Sequence, residues 1–251
     1  LEAIEELNLN GSRVTNGGLE HLSKLPNLKK LDVRNSPVDQ HGAKAMGALT
    51  SLEELRLDGG EMTDEAMAGM STIPALKVLE ISNVRLSPDG WAQLAKHKQL
   101  EDLTITSSNI DDNTMAIINQ MTSLKRMWIN NCAVSDVGIA HLKDLDALES
   151  LNLGGTQVRG HAFGVLMKAN AMKGLRTLGM DTTPLDERGA AGIRTMLQLT
   201  HLGLGSLRSM QDQHFVPMVK PLKNLETVNL SNCEGLSGGA FSAFAASKTI
   251  R

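Results

Sequence analysis

A short apolar pattern recurs through the whole 251-residue chain at nearly constant spacing. Its form is L-x-x-L-x-L, and successive copies begin at Ile4, Leu28, Leu52, Leu76, Leu100, Leu124, Leu148, Leu175, Leu199 and Leu225. Six successive spacings are 24 residues, followed by 27, 24 and 26, and all thirty apolar slots hold aliphatic residues. Self-similarity at such a period indicates a solenoid, in which each repeat buries its apolar face only against its neighbours.

Each repeat changes its periodicity halfway along. Its fourth and sixth positions alternate with polar residues, as in a half-buried strand, whereas apolar positions 16 and 19 share one side of a helix. Position 15 is usually small, which we interpret as letting the helix backbone approach the strand layer. Position 12 supplies predicted helix N-caps at Thr15, Asp39, Thr63, Ser87, Asp111 and Ser135. The predicted fold is α/β, a right-handed curved solenoid with a parallel concave sheet and short convex helices.

Several segments resemble the leucine-rich repeats. The stretches LESLNLGGTQV (148–158) and VSDVGIAHL (134–142) are similar to the bacterial subtype L-x-x-L-x-L-x-x-T-x-V-T-D-x-G-L-x-x-L, and GAKAM (42–46) and GAFSAF (239–244) to the G-A-x-A-L variant of bacterial F-box effectors. Ser, Cys or Thr replaces the asparagine usual at position nine, so we expect hydroxyl or thiol groups to meet the turn amides. The resemblance covers essentially the whole chain. It implies a horseshoe that recognises proteins, generally through the concave face, with no catalysis by the repeats.

The two ends of the sequence lie within the repeat pattern. Leu1 stands 24 residues before Leu25, in the slot that closes a repeat, and residues 249–251 arrive where an eleventh repeat would open. No polar cap, which a solenoid normally needs, is evident at either end. We therefore expect residues 1–251 to form a single domain of about ten repeats from a longer chain. We expect a monomer, apart from end-to-end association of uncapped ends.

One enzyme-like motif occurs, at residues 235–239, where GLSGG fits G-x-S-x-G. In hydrolases this motif holds a nucleophilic serine, whose histidine partner follows it in the chain. Here Ser237 falls in the helix-cap slot, Gly239 falls in the small-residue slot, and the last histidine, His214, precedes both. We predict no catalytic residue and no enzyme activity.

The histidines do not suggest a metal site. His21 and His141 share one repeat slot five repeats apart, as do His41 and His161. At about 4.8 Å per repeat, each pair is separated by roughly 24 Å, which is too far for shared coordination. We expect solvated histidines on the helix side, no metal and no cofactor.

Cysteine, charge and hydropathy restrict the environment and the partners. Cys132 and Cys233 share an interior slot four repeats apart, about 19 Å, so we expect free, packed thiols. Free thiols are compatible with a reducing compartment and favour the cytoplasm without establishing it.

The formal net charge of −3, 2% aromatic residues and the absence of a P-loop or basic stripe argue against nucleic acid as a partner. No apolar run reaches the roughly 18 residues of a membrane span.

Position two carries charges that alternate in sign from repeat to repeat. The series is Glu5, Lys29, Glu53, Lys77, Glu101, Lys125, Glu149 and Arg176. In register, each charge would lie between opposite ones, which favours correct stacking and penalises a slip. Exposed ion pairs contribute little, so we interpret this series as a determinant of register and not as a binding site.

Positions three, five and seven are predicted to point to the concave surface. They are mostly charged in early repeats and mostly Gly, Asn or Ser in later ones, with a transition at Arg126, Trp128 and Asn130. Exposed Trp and Arg beside small neutral residues are typical anchors of protein interfaces. Alternatively, Trp128 merely covers its neighbours Thr104 and Asn152. The candidate partner-binding residues are Arg126, Trp128, Asn130, Asn152, Asp181 and His201.

The predicted function is recognition of a protein or peptide on the concave face, near repeats five to nine. Two alternatives stay open: the recognition arm of a larger enzyme whose catalytic domain lies outside this sequence, and a secreted or envelope structural repeat. The longer spacings near residues 167–174 and 211–221 reflect either a functional insertion or drift. We expect residues 211–221 to form a shorter or distorted outer element.

Overall fold

A computed structural model describes residues 3–12, 14–36, 38–59 and 62–244. The chain divides into two compact units, Leu1–Asn109 and Ile110–Arg251. Leu1 and residues 249–251, on which the expectation of neighbouring repeats rested, lie outside the described residues.

In the described part of the first unit, strands and helices alternate as predicted. The strands are β1 (Glu6–Asn8), β2 (Lys30–Asp32), β3 (Glu54–Asp58), β4 (Val78–Ser82) and β5 (Asp102–Thr106). The helices are α1 (Asn16–Glu20), α2 (Gln40–Met46), α3 (Asp64–Met70) and α4 (Pro88–Leu94), and a 3₁₀ helix (His21–Lys24) follows α1. The strands pair in parallel and in chain order, with equivalent repeat positions opposite each other.

The second unit repeats this arrangement. Its helices are α5 (Asp112–Ile118), α6 (Asp136–Ala140), α7 (His161–Lys168), α8 (Glu187–Ile193) and α9 (Asp212–Val219), with a 3₁₀ helix (Gly238–Ala243) after them. Its strands are β6 (Arg126–Asn130), β7 (Ser150–Asn152), β8 (Thr177–Gly179), β9 (His201–Gly203) and β10 (Thr227–Asn229). They too are parallel and pair in chain order. The predicted α/β class is confirmed.

The core of each unit is the layer between strands and helices. In repeats two to nine, the side chains at the fourth and sixth positions are at most 2% exposed. Leu7 and Leu9 in the first repeat, and Val228 and Leu230 in the tenth, are only half-buried. None of the described helices has the length and hydropathy required to cross a lipid bilayer.

The predicted N-caps occupy the expected positions. Asp39, Thr63, Ser87, Asp111 and Ser135 each accept a hydrogen bond from a backbone N–H in the first turn of their helix. Thr15 precedes α1 without a side-chain cap bond. Hydrogen bonds from backbone N–H groups to these side chains therefore set where most helices begin.

At Gly90 and Gly138, the small residue at position 15 makes room for a side chain of the preceding repeat, which we did not infer. A Cβ added to Gly138 would lie 2.6 Å from Oδ1 of Asp112, the first residue of the preceding helix. That carboxylate accepts hydrogen bonds from the backbone N–H of Ser135 at 2.7 Å and from its hydroxyl at 2.6 Å. Asp64 makes the same two bonds with Ser87 beside Gly90. The glycine makes room for a carboxylate that links consecutive repeats.

Helix α7 shows a variation on this link. Its N-cap residue, Gly160, has φ +90° and no side chain that could accept a hydrogen bond. Asp136 of the preceding repeat accepts from the N–H groups of Arg159 at 2.8 Å and Ala162 at 2.9 Å. A carboxylate from one repeat thus caps the helix of the next.

The expectation of a shorter or distorted outer element at residues 211–221 is wrong as to length. Helix α9 has eight residues, the same number as α7. Pro217 lies inside α9 and removes one backbone donor, but Phe215 and Met218 are fully buried and hold the helix against the core. The longer spacing near 167–174 includes Asn170 and Met172, both with left-handed backbone.

Two smaller expectations are met in part. Both cysteines are free; Cys132 is buried, whereas Cys233 is half-buried. At position nine, Thr156 and Thr183 donate to backbone carbonyls and do not meet turn amides as we expected. Ser108 does accept from a backbone amide, that of Val84, at 3.1 Å.

The alternating charges of position two form ion pairs in the first unit. Lys29 contacts Glu5 at 3.0 Å, and Lys77 contacts Glu53 at 2.9 Å. The hydrogen bond from Lys77 lowers the pKa of Glu53. These side chains are largely exposed, which agrees with a weak contribution to register.

Candidate functional site

The six candidate residues lie on one surface of the second unit, which we call the strand face. It is formed by the side chains of β6 to β10 that point away from the helices. Arg126, Trp128 and Asn130 alternate along β6 with the buried Met127 and Ile129. Asn152 lies on β7, Asp181 lies two residues beyond the end of β8, and His201 begins β9. The sequence therefore placed all six in correct register.

The pairing of the strands aligns these residues in rows that cross the sheet. The central row is Trp128, Asn152, Gly179, Gly203 and Asn229. The row on one side of it is Arg126, Ser150, Thr177, His201 and Thr227. Along the central row the surface passes from a large aromatic ring to an amide and then to bare backbone.

The two tryptophans have opposite environments. Trp91 is 2% exposed and donates its indole N–H to Oδ1 of Asn109, so it is part of the core. Trp128 is 45% exposed, so nearly half of a large apolar side chain faces solvent on the strand face. Isolated exposed apolar residues are common, but an exposed indole on a sheet face offers a large contact area.

Two polar side chains lie along the sheet over glycine backbone. Asn152 accepts from the N–H of Gly154 at 2.9 Å, and a Cβ on Gly179 would lie 2.8 Å from the Asn152 amide group. Asp181 behaves similarly over Gly203, where an added Cβ would lie 2.8 Å from its Oδ2. The outward glycines therefore leave space for these side chains.

Asp181 is the centre of a small hydrogen-bonded network. Its Oδ1 accepts from the N–H of Gly205 at 2.7 Å and from Nδ2 of Asn229 at 3.2 Å. The side chain of Asn229 in turn accepts from the N–H and hydroxyl of Ser231. Sequence reasoning missed Asn229 as part of this group. The available signal was the pair of outward glycines, Gly203 and Gly205, beside an aspartate just beyond the end of the neighbouring strand β8.

The remaining candidates are more peripheral. His201 is exposed, and its Nδ1 lies 2.8 Å from the hydroxyl of Thr200. Arg126 is exposed, and Asn130 is half-buried at the end of β6. These residues border the central row without contributing to the Asp181 network.

The outward surface of the first unit is different in kind, because its charges neutralise one another. Arg34 contacts Asp32 at 2.7 Å and Glu80 at 2.9 Å, while Arg56 contacts Glu54 at 2.7 Å and Glu80 at 3.6 Å. The hydrogen bond from Arg34 lowers the pKa of Asp32, and the same bond raises the pKa of Arg34. These carboxylates already have cationic partners.

The G-x-S-x-G serine has a structural environment. Ser237 accepts from the N–H of Gly239 at 3.1 Å as the N-cap of the last 3₁₀ helix, and its hydroxyl donates to Asp212 at 2.5 Å. That bond lowers the pKa of Asp212. Ser237 thus makes the link between repeats that Ser87 and Ser135 make elsewhere.

The histidines fall into two groups. His21, His41 and His141 are exposed as expected, but His161 is half-buried and lies 2.8 Å from Oδ1 of Asp186. The expectation of a solvated side chain is therefore wrong for His161, since a carboxylate from the next repeat reaches it. It is also wrong for His97, which is 2% exposed. Within the described ranges, no three His, Cys, Asp or Glu side chains are grouped closely enough to hold a metal ion.

No protein-family model and no curated protein sequence matches this chain. Among solved structures it is similar to internalin InlF of Listeria monocytogenes, with 18% identity, a TM-score of 0.54, and coverage of 100% of this chain and 86% of that one. Internalin C2 of the same organism gives 18% identity, a TM-score of 0.58 and 80% coverage of both chains. A TLR13–ssRNA13 complex gives 19% identity and a TM-score of 0.60 over 88% of this chain and 35% of that one. These similarities establish the predicted leucine-rich-repeat fold.

Proposed function

We propose that this leucine-rich-repeat chain binds another protein or a peptide through the strand face of its second unit. The observation that carries the proposal is the 45% exposed indole of Trp128, which opens the central row of that face. Tryptophan buries more area per rotatable bond than most side chains and is enriched among residues that dominate binding energy.

The surface beside Trp128 favours contact with a main chain. Asn152 and Asp181 lie along the sheet over Gly179 and Gly203, so no long side chain projects from these slots. A partner could approach closely there and form hydrogen bonds with side-chain amides already held in place. Pre-organised groups reduce the conformational entropy lost on binding.

We also propose that the partner is not a nucleic acid. Of the fifteen outward residues at positions three, five and seven of repeats six to ten, only Arg126 is a lysine or arginine. Binding to a nucleic-acid backbone relies on several such cations. The chain itself is proposed to be non-catalytic, because Ser237 of the hydrolase-like motif serves as a helix cap bonded to Asp212.

Selection from a random twelve-residue peptide library against the immobilised chain tests this function. We expect selected peptides to bind Trp128→Ala at least roughly 30-fold more weakly than the parent chain, about 2 kcal/mol, the range of an interface hot spot. The denaturant midpoint should stay unchanged, since the indole is already partly exposed. Isothermal titration and urea unfolding provide the two measurements.

Val165→Ala is the matched control, because Val165 is 60% exposed but lies on helix α7. It should not affect peptide binding. Unchanged affinity in Trp128→Ala with a lowered midpoint would mean that the indole only covers its neighbours. A labelled thirteen-nucleotide oligouridine should bind neither variant; tight, salt-sensitive binding would contradict the proposed partner class.

A further inference from the structure

Two hydrogen bonds to one oxygen, Oδ1, hold the carboxylate of Asp181 in a fixed orientation. Oδ1 accepts from Gly205 and Asn229, at 2.7 and 3.2 Å. In the part of the chain that the structure describes, Oδ2 has no hydrogen bond and the carboxylate has no lysine, arginine or histidine nitrogen within ion-pair distance. Asp181 is nevertheless half-buried.

This environment contrasts with the outward carboxylates of the first unit. Asp32, Glu54 and Glu80 each contact an arginine on their own sheet. An ionised group that is partly withdrawn from water loses hydration, and a cation at hydrogen-bonding distance restores the lost interaction. Asp181 lacks that compensation within the described residues.

Space for such a cation exists directly above the sheet. Gly203 and Gly205 occupy the outward slots next to Asp181 on β9 and just after it, and neither has a side chain that could cover Oδ2. Gly179, at the neighbouring outward position on β8, likewise has no side chain that projects from the sheet. A long flexible side chain with a terminal charge could therefore reach Oδ2 from solvent.

We infer that Asp181 binds a lysine or arginine side chain of the partner peptide, and that this side chain lies three or four residues from the one that packs on Trp128. The inference rests on the proposed function. Asp181 is two strands away from Trp128 and two positions further along, roughly 12 Å at about 4.8 Å per strand and 3.3 Å per residue. An extended peptide covers that distance in three or four residues.

A basic side chain is the ligand group that fits the chemistry. One carboxylate does not form a metal site, which needs several ligands. A phosphate or acidic side chain would be repelled. A guanidinium or ammonium group gains a charge-assisted hydrogen bond, which is stronger than a bond between neutral groups.

The test compares peptide selections on three immobilised chains: the parent, Asp181→Asn, and Glu226→Gln. The asparagine variant keeps the size of the side chain and an oxygen for Gly205. Glu226→Gln makes the same change of charge at an exposed residue just before β10, outside the outward rows. On the parent and the control, we expect enrichment of Lys or Arg three or four residues from an aromatic or aliphatic residue. On Asp181→Asn, that basic preference should disappear.

A double-mutant cycle with one parent-selected peptide makes the test quantitative. Replacing its basic residue by norleucine should weaken binding to the parent about tenfold or more, the loss expected for a charged hydrogen bond. The same replacement should have no effect on Asp181→Asn. Because both peptides are compared on the same protein, any change in the folded fraction of Asp181→Asn cancels in the cycle.

The outcomes separate the two proposals. An unchanged basic preference on Asp181→Asn, or equal effects of norleucine on both proteins, would overturn the role of Asp181 while leaving the Trp128 site standing. Peptides that bind equally well to parent and Trp128→Ala would overturn the proposed function. Failure to select any peptide, or displacement of selected peptides by oligouridine, would overturn both.

Discussion

His97 occupies a repeat slot that is aliphatic in the neighbouring repeats. Equivalent positions hold Leu25, Leu49, Ile73, Met121 and Leu145. The imidazole is 2% exposed and donates a hydrogen bond to the carbonyl of Met70. Burial lowers its pKa below the ordinary value of 6.5, so the folded protein takes up a proton there less readily than the unfolded chain does.

We predict that His97 makes the stability of the chain fall in mildly acidic solution. Below about pH 6.5 the unfolded chain takes up a proton at this residue more readily than the folded chain. Stability is therefore retained above that pH and lost progressively as the pH falls towards the lowered pKa of the folded state. In His97→Leu this component should vanish. Urea unfolding at pH 7.5 and pH 5.5 measures the difference, with exposed His141→Leu as the control. A constant difference between parent and His97→Leu at both pH values would contradict it.

Single residues were the hardest to assign from sequence. The general expectation of solvated histidines overlooked the slot of His97, which is aliphatic in the neighbouring repeats and therefore buried. His161 gave no such signal, since its partner Asp186 is the N-cap residue of the next helix, 25 residues further along the chain. The open oxygen of Asp181 likewise depends on how side chains lie over glycine, which repeat position alone does not specify.

At the level of elements, neighbouring helices are joined through Asp112 and Gly138. The carboxylate accepts two hydrogen bonds from Ser135, and the glycine provides the volume it needs. Asp112→Ala should lower the free energy of unfolding by about 1–3 kcal/mol, because two donors lose a charged acceptor. Gly138→Ala should also destabilise the chain, since its Cβ would meet the carboxylate.

A double-mutant cycle distinguishes this link from two independent defects. Gly138→Ala should cost less in the Asp112→Ala background, because the oxygen at 2.6 Å is gone. Gly17→Ala in α1 is the control, as an added Cβ meets nothing within 4 Å there and alanine favours the helix. Strictly additive losses, measured by urea unfolding, would show that the carboxylate and the glycine are not coupled.

The strands, the helices and most caps could be predicted from the sequence, because apolar periodicity and cap chemistry act locally. The length of α9 could not. A proline and an altered spacing both suggested a weak element, but burial of Phe215 and Met218 outweighs the lost hydrogen bond. Tertiary packing commonly decides helix length in this way.

Across the whole molecule, burial of the strand layer is uneven. The apolar side chains of β3 and β8 are fully buried, whereas those of β1 and β10 are half-buried. In repeat proteins, stability is approximately a sum over repeats and their interfaces, so the least buried repeats open first. We predict that backbone amides of β1 and β10 exchange with deuterium at least about tenfold faster than those of β3 and β8. Mass spectrometry of peptic fragments would show this, and uniform protection would contradict it.

The orientation of the candidate residues could also be predicted at this scale. Outward slots follow from the period, so all six residues were assigned to the correct face of the second unit. The contrast between the units was visible as well, since charged residues dominate the early outward slots and Asn, Gly and Ser the later ones. Which charges are paired became clear only from the contacts of Arg34 and Arg56.

The link between Asp112 and Gly138 also restricts which repeat can follow which in the chain. A repeat whose helix begins with such an aspartate needs a serine cap and a glycine in the repeat that follows. This contact requires nothing of the repeat before it. Duplicating, deleting or moving a 24-residue segment therefore preserves the repeat period. It preserves the contact between neighbouring helices only if the repeat with the aspartate and the repeat with the serine and glycine move together.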